Sequence, residues 1–228
     1  MAIGVAAILL MALLAPVTHS VKVYNTGAGI LYTLNVVQDV SLERTTTNLN
    51  YLIYLMVSKH PDYPNKRSLV QFENLPTTCV LPHIKSAKMY LYYKYAHKPS
   101  FHSIYKTPFI PRYMYAHLVK KSWRESQATS TKRYSNQFWS APWLALDGRD
   151  AELEPQDWNP VTIYPLRPEG FVEFDVTSAI TKWRSGVPNY GLVIRALNEL
   201  QTGRGILFYS NRFSQSSKHA FIRVLCKA

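Results

Sequence analysis

Apolar and polar residues alternate with a period of two along much of the chain. The segment 87–95 reads AKMYLYYKY, which places Met89 and Leu91 on one face and Tyr90 and Tyr92 on the other. The same period recurs in 171–176, 190–196 and 220–226. Such alternation predicts β-strands with one buried face. Apolar or Tyr-rich runs add the strand candidates 30–37, 51–57, 67–73, 113–119, 161–166 and 205–210.

Turn-forming sequences such as HPDYPNK, ALDGRD and RSGVPNYG separate these runs. Many short strands separated by turns favour two packed antiparallel sheets. We therefore expect an all-β protein, an antiparallel jelly-roll-like β-sandwich. No linker or internal repeat divides the chain, so residues 21–228 are expected to form a single domain.

A short helix is predicted near 177–185, inside the segment FVEFDVTSAITKWRSGVPNYGLVIRA. Ile180 and Trp183 are three residues apart, so they share the helix face that packs on the core. Asp175 or Thr177 would cap the helix start. A catalytic carboxylate–hydroxyl pair is the alternative, but no second carboxylate or histidine lies in the helix. We therefore interpret this segment as a joint between two strands.

The order of several motifs resembles the DNRLRE domain, a family similar to carbohydrate-binding modules. The matching stretches are RSLVQFENLP, IKSAKMYLYY, AHLVKKSWRES, the joint segment and GILFYSNRF, in the family's order. The resemblance covers about residues 36–226. It implies a jelly-roll-like sandwich and does not imply an enzyme. The last strand departs from the family pattern, since it opens with HAF in place of Arg-Pro.

Residues 1–20, MAIGVAAILLMALLAPVTHS, have the apolar run and small-residue end of a cleaved signal peptide. The alternative is a membrane anchor, but the run is short and has no basic flank. We expect a secreted, extracellular protein without stable membrane insertion.

The formal net charge of +12 favours polyanionic partners. Outside the cell these include acidic polysaccharides and extracellular-matrix components. Nucleic acid is the alternative for a basic protein, and the predicted secretion argues against it.

A basic cluster is the first candidate for polyanion binding. Arginine and lysine side chains at this density can meet sulfate or carboxylate groups. A solvated strand edge is the alternative, because edge strands often carry lysine. The candidate residues are Lys120, Lys121, Arg124, Lys132, Arg133 and Tyr134.

Trp139 and Trp143 flank the short sequence SAP in the irregular segment 125–160. Exposed rings on loops could stack on the apolar faces of sugars. The alternative is a small satellite core beneath the loop. Trp123 and Trp183 are expected in the core.

Asp147, Asp150 and Glu152 form a weak calcium candidate, since calcium takes carboxylate oxygens on tight loops. Their spacing does not match an EF-hand, and Asp-Gly alone indicates a turn. No other metal or cofactor is expected.

Cys79 and Cys226 are the only two cysteines. In a secreted protein they could form a disulfide that ties the last strand to the body of the domain. Two buried free thiols are the alternative.

Two functional hypotheses follow. The first is a secreted, non-catalytic module that binds acidic polysaccharide. The second is a structural extracellular-matrix or skeletal-matrix protein that binds other matrix components. An enzyme, such as a lyase using tyrosine and a basic residue, has less support because the recognisable catalytic motifs are absent. The sequence leaves the oligomeric state open.

Overall fold

The structure is a computed structural model that describes residues 21–43, 46–60, 63–96, 111–164, 167–199 and 205–227. The predicted signal peptide lies outside these residues. In chain order the elements are β1 (Lys22–Thr26), β2 (Gly29–Glu43), β3 (Tyr54–His60), β4 (Tyr63–Phe72), β5 (Ile84–Ala96), β6 (Arg112–Leu118), β7 (Lys132–Tyr134), β8 (Gln137–Phe138), β9 (Val161–Ile163), β10 (Gly170–Asp175), α1 (Thr177–Arg184), β11 (Leu192–Ala196), β12 (Ile206–Tyr209) and β13 (Phe221–Cys226). Two short 3-10 helices cover Leu81–His83 and Ser216–Lys218.

The strands form an antiparallel sandwich, which confirms the predicted fold class. The first sheet contains β1, β2, β13, β5, β10, β12 and β3, and the second contains β2, β3, β4, β11, β6 and β9. The long strand β2 belongs to both sheets. Residues 30–35 pair with β13, while residues 36–43 pair with β4 beyond an irregularity at Val36 and Gln38.

The main core fills the space between the two sheets. Strand β5 contributes Met89 and Leu91, both fully buried, as the period of two predicts. Phe208 and Ile222 of the neighbouring strands pack in the same core. The alternate residues of these strands therefore lie on the outer face of the first sheet.

A second, smaller core covers the outer face of the second sheet. Val40, Leu69 and Val193 contribute the strand side of this core. We call residues 119–151 the covering segment, because its apolar side chains lie over these strands. They are Val119, Trp123, Ala128, Trp139, Trp143, Leu144 and Ala151.

The joint between β10 and β11 contains the predicted helix, at Thr177–Arg184. Ile180 is buried and Trp183 packs against the main core. Asp175 Oδ1 accepts the Thr177 N–H at 3.0 Å, as expected for a carboxylate that satisfies the helix start. Thr177 was the wrong choice of cap: it is the first helical residue, and its hydroxyl accepts the Ala87 N–H of β5 at 2.9 Å.

Gly191 ends the joint where only glycine fits. Its φ is +80°, and a Cβ there would lie 2.2 Å from the Val70 carbonyl oxygen. Asn189 Oδ1 accepts the Gly191 N–H at 3.1 Å, while its amide donates to the Phe72 carbonyl at 2.9 Å. The Asn-x-Gly sequence therefore positions β11 beside β4.

Candidate functional site

The predicted basic cluster divides into two groups with different partners. Lys120 Nζ donates to the Gly148 carbonyl, and Lys121 Nζ lies 3.0 Å from Asp150 Oδ1. Both lysines therefore point toward the turn at 147–150. The charge of Lys121 is neutralised there.

The remaining cations lie together at the β7–β8 hairpin, with Lys132 and Arg133 on β7 and Arg124 in the preceding loop, where its N–H bonds to Arg133. The Arg124 and Arg133 guanidinium carbons lie 5.4 and 5.0 Å from the centroid of the Tyr134 ring. Lys132 Nζ lies 5.7 Å from the centroid of Phe138, a ring that is 55% exposed. We call Arg124, Lys132, Arg133 and Tyr134 the basic hairpin.

Hydrogen bonds fix the basic hairpin. The Arg124 N–H donates to the Arg133 carbonyl at 3.0 Å. Arg133 itself donates to the Ser122 carbonyl at 3.0 Å and to Gln137 Oε1 at 2.8 Å. Within the part of the chain that the structure describes, no carboxylate forms a salt bridge with these three cations. Their positive charge is therefore available to an external anion.

Burial contradicts the expectation that Trp139 and Trp143 stack on sugar. They are 5% and 6% exposed, and they belong to the satellite core that was the alternative interpretation. Each indole N–H is also used, Trp139 donating to the Thr129 carbonyl and Trp143 to the Leu42 carbonyl. Neither ring offers a face to a ligand in this structure.

Arg67 holds Trp143 in place. Its guanidinium carbon lies 3.9 Å from the centroid of the Trp143 ring, and Nη1 donates to the carbonyls of Trp143 and Leu144 at 2.8 and 2.7 Å. These two residues have φ values of +69° and +60°, in the left-handed region that non-glycine residues rarely adopt. Glu199 accepts from the other side of the same guanidinium at 2.6 and 2.7 Å.

The three carboxylates of the calcium candidate do not converge, so that prediction was wrong. Asp147 is exposed and pairs with Arg149, while Glu152 pairs with Lys182 at 2.7 Å. Asp150 points inward and accepts the backbone N–H groups of Ser140 and Ala145. Among the described residues, no group of three possible ligands could hold a metal ion.

Asp150 is a structural carboxylate. Its burial alone would raise its pKa, but the N–H groups of Ala145 and Ser140 and the Lys121 ammonium outweigh this effect and lower the pKa. The negatively charged Asp150 carboxylate thus links Lys121, Ser140 and Ala145 within the covering segment.

Among the described residues, two groups have a pKa far from the usual value, and both are interior. Burial raises the pKa of Asp39 to about 7, and burial together with nearby Arg195 lowers the pKa of His117 to about 4. Asp39 is 2% exposed and His117 is fully buried. His117 accepts from Arg195 Nε at 3.0 Å, so its Nδ1 carries the proton and donates to the Glu152 carbonyl at 3.2 Å.

The outer face of the first sheet carries a surface that the sequence reasoning missed. Its rings pack edge to face or stacked, with Tyr90 and Phe221 stacked at 4.8 Å and Phe171 5.2 Å from Phe221. Arg223 lies 5.4 Å from the Tyr90 ring, and Lys218 lies 5.1 Å from the Tyr92 ring. The alternation in 87–95 put Tyr90 and Tyr92 on this face, but their neighbours come from distant strands.

Comparison with protein-family models found no matching family, and no curated protein matches the chain. The DNRLRE resemblance therefore stays a prediction that rests on the motifs themselves. Among the described residues, no helix is long and apolar enough to cross a membrane.

Proposed function

We propose that the protein is a secreted, non-catalytic module that binds acidic polysaccharide. The observation that carries this proposal is the basic hairpin, in which three cations lie around exposed or half-buried rings. Of the carboxylates that the structure describes, none forms a salt bridge with them. Cation–ring contacts and hydrogen bonds restrict the side chains before a ligand arrives. Binding therefore loses less side-chain entropy than it would on flexible lysines.

The ligand class follows from the charge. Sulfate and carboxylate groups along a polysaccharide can pair with the guanidinium group of Arg124 in a bidentate manner. Arg133 already donates to Ser122 and Gln137, so it adds positive charge beside Arg124. The ion pairs would be solvent-exposed, so each is weak and is screened over about 8 Å at physiological salt. Affinity should then depend on several contacts and should fall steeply as salt rises.

The non-catalytic part of the proposal has support from burial. Asp39 and His117, whose shifted pKa values would draw attention in a search for catalytic groups, lie inside the protein. Asp39 accepts the Asn211 N–H at 2.7 Å, and both ring nitrogens of His117 are bonded to protein atoms.

A glycan array at low and at physiological salt tests the proposal. We expect retention of sulfated or uronic-acid chains at low salt and a large loss at physiological salt. The double variant Arg124→Glu/Lys132→Glu should bind at least roughly tenfold more weakly, since it changes two attractive contacts into repulsive ones. Both side chains are exposed, so the variant should keep its fold.

The matched control is Lys85→Glu/Lys227→Glu, which makes the same change in net charge at two exposed positions outside the hairpin. Equal losses from both double variants would show that bulk charge explains binding, and the hairpin would then not be the site. Secretion is tested by N-terminal sequencing of protein from the culture medium, where we expect Val21 as the first residue.

A structural matrix role is the second candidate, and exposed aromatic rings at the β6–β9 edge favour it. Trp158 is 68% exposed, and Tyr113 and Tyr164 are also exposed. Interfaces between proteins are enriched in such rings. If the array detects no glycan at either salt concentration, while Trp158→Ser removes retention on isolated matrix, this candidate replaces the first.

A further inference from the structure

A groove of about 450 Å³ lies on the outer face of the first sheet, at the end formed by β1, β2 and β13. Strand register explains its shape. Thr33 of β2 pairs with Lys22 of β1 on one side and with Arg223 of β13 on the other. The three side chains therefore form one row across the sheet, and the 3-10 turn Ser216–Lys218 contributes Ser216 to the wall.

The charge of the groove is positive. Lys22 and Arg223 both line it, and none of the described residues that line it is acidic. Adjacent strands are about 4.8 Å apart, so the Cα atoms of these two cations lie about 10 Å apart with Thr33 between them. Side chains of this length can approach one anionic group from opposite sides.

Arg223 is held by rings, which leaves its charge available. Its guanidinium carbon lies 5.2 Å from the centroid of Phe221 and 5.4 Å from that of Tyr90. Within the described part of the chain no carboxylate forms a salt bridge with Arg223. Lys88, its neighbour in the next strand, is by contrast neutralised by Asp175 at 2.9 Å.

The uncharged lining fits a sugar. Tyr24 and Phe221 supply ring surface, and Thr33, Asn35 and Ser216 supply hydroxyl and amide groups. Rings beside a few polar groups are how proteins hold the apolar face and the hydroxyls of a small ligand. Glu73 Oε2 accepts from the Asn35 amide at 3.0 Å and fixes its orientation.

We propose that this groove binds a single anionic sugar residue, with a carboxylate or a sulfate ester between Lys22 and Arg223 and the sugar ring against Phe221. The groove shares no residue with the basic hairpin, so this site does not rest on the hairpin's function. Together the two sites would allow one module to contact two segments of polysaccharide.

The test uses four small probes and the full secreted chain labelled with ¹⁵N. Galacturonate is compared with galactose, and N-acetylglucosamine 6-sulfate with N-acetylglucosamine, by the shifts of the Thr33 and Asn35 amide signals. We expect a saturable shift with at least one acidic sugar and a shift at least roughly tenfold weaker in apparent affinity with its neutral counterpart. The acidic sugar that binds identifies carboxylate or sulfate ester as the recognised group.

Variants assign the site. Arg223→Gln and Lys22→Gln should each weaken acidic-sugar binding, whereas Lys85→Gln, at an exposed position outside both the groove and the hairpin, should leave it unchanged. Lys22 is exposed on an edge strand, so Lys22→Gln should not disturb the fold. It therefore still tests the site if Arg223→Gln disturbs the packing of the rings on the outer face of the first sheet. Phe221→Leu should weaken binding of the sugar more than binding of inorganic sulfate.

Any of four results would overturn the proposal. The first three are the absence of a saturable shift with both acidic sugars, equal binding of acidic and neutral sugars, and equal losses in the Lys85→Gln control and the groove variants. Inorganic sulfate that binds as tightly as the sulfated sugar would also reject a sugar site. Binding at the basic hairpin is measured with polysaccharide chains and with variants of the hairpin. Rejection of the groove proposal would therefore leave the test of the hairpin unaffected.

Discussion

The guanidinium of Arg67 lies 3.9 Å from the ring centroid of Trp143, a residue 76 positions further along the chain. This contact, together with the two carbonyls that Arg67 caps, holds the left-handed backbone at Trp143 and Leu144. Arg67 lies on β4 and opens the stretch RSLVQFENLP, one of the stretches on which the predicted DNRLRE resemblance rests. We infer that this arginine fastens the covering segment to the second sheet.

Arg67→Lys should therefore destabilise the protein by about 3 kcal/mol. A lysine ammonium cannot form both the bidentate pair with Glu199 and the hydrogen bonds to the carbonyls of Trp143 and Leu144. Urea unfolding monitored by tryptophan fluorescence measures the change. Arg149→Lys is the control, since its pair with Asp147 is exposed and should change stability little. Similar losses in both variants would contradict the anchoring role.

The second, smaller core shows why the sequence alone could not predict whether Trp143 is buried or exposed. The Trp143 ring is covered by an arginine from a distant strand, and no local sequence pattern predicts that contact. The same reason explains Asp150: the sequence places it between two other acidic residues, but tertiary hydrogen bonds turn it inward. By contrast, the period of two in β5 predicted the inward positions of Met89 and Leu91, because alternation is a local property.

The groove was missed for another physical reason. Strand β1 is exposed along its whole length, so Lys22–Thr26 shows no buried alternation, and it was not predicted as a strand. The groove also brings together residues from β1, β2, β13 and the turn near Ser216. Only the register of the sheet reveals that Lys22, Thr33 and Arg223 are neighbours.

The Cys79–Cys226 disulfide predicted as one of two alternatives is present in the structure, with a Cα–Cα distance of 6.0 Å. It connects the loop before β5 to the end of β13 across 147 residues. We expect a Cys79–Cys226 peptide in non-reducing mass spectrometry. Substitution of both cysteines by serine should cost about 4 kcal/mol in denaturant unfolding, mainly because the unfolded chain gains freedom. Full alkylation of both thiols without reduction would contradict the bridge.

Asp175 is predicted to be structural. Its carboxylate joins Lys88 of β5 to the first N–H of α1, so it supports the joint between β10 and the helix. Burial would raise its pKa, but the Lys88 and Thr177 hydrogen bonds outweigh burial and lower it. Asp175→Asn should cost on the order of 1 kcal/mol in thermal or urea unfolding, because it removes the charge and leaves one acceptor for the Thr177 N–H.

The Asp175→Asn variant should bind acidic polysaccharide with the same affinity as the parent protein. Asp147→Asn is the control for the loss of one negative charge, because its carboxylate is exposed and contacts only Arg149 within the covering segment. A normally folded Asp175→Asn protein without binding would contradict the structural role.

Buried Asp39 should make stability decrease as pH rises. Burial raises its pKa to about 7 from an ordinary value of 3.8, while the N–H of Asn211 and the charge of Arg212 oppose this and the charge of Glu125 reinforces it. Between these two pH values the folded protein keeps a proton that the unfolded chain has released. The contribution of Asp39 to stability is thus complete below about pH 4 and is lost as pH rises through about 7.

Asp39→Asn removes this titration while an amide oxygen can still accept the Asn211 N–H. The stability of the variant relative to the parent should therefore increase between pH 4 and 7, by at most about 4 kcal/mol. Urea unfolding of both proteins across this range measures the difference. His117 titrates with the opposite sign, since its lowered pKa gives stability above its ordinary value of 6.5 that is lost as pH falls toward 4. Both proteins retain His117, so its effect cancels in the comparison, and parallel stability curves would show that Asp39 does not carry the extra proton.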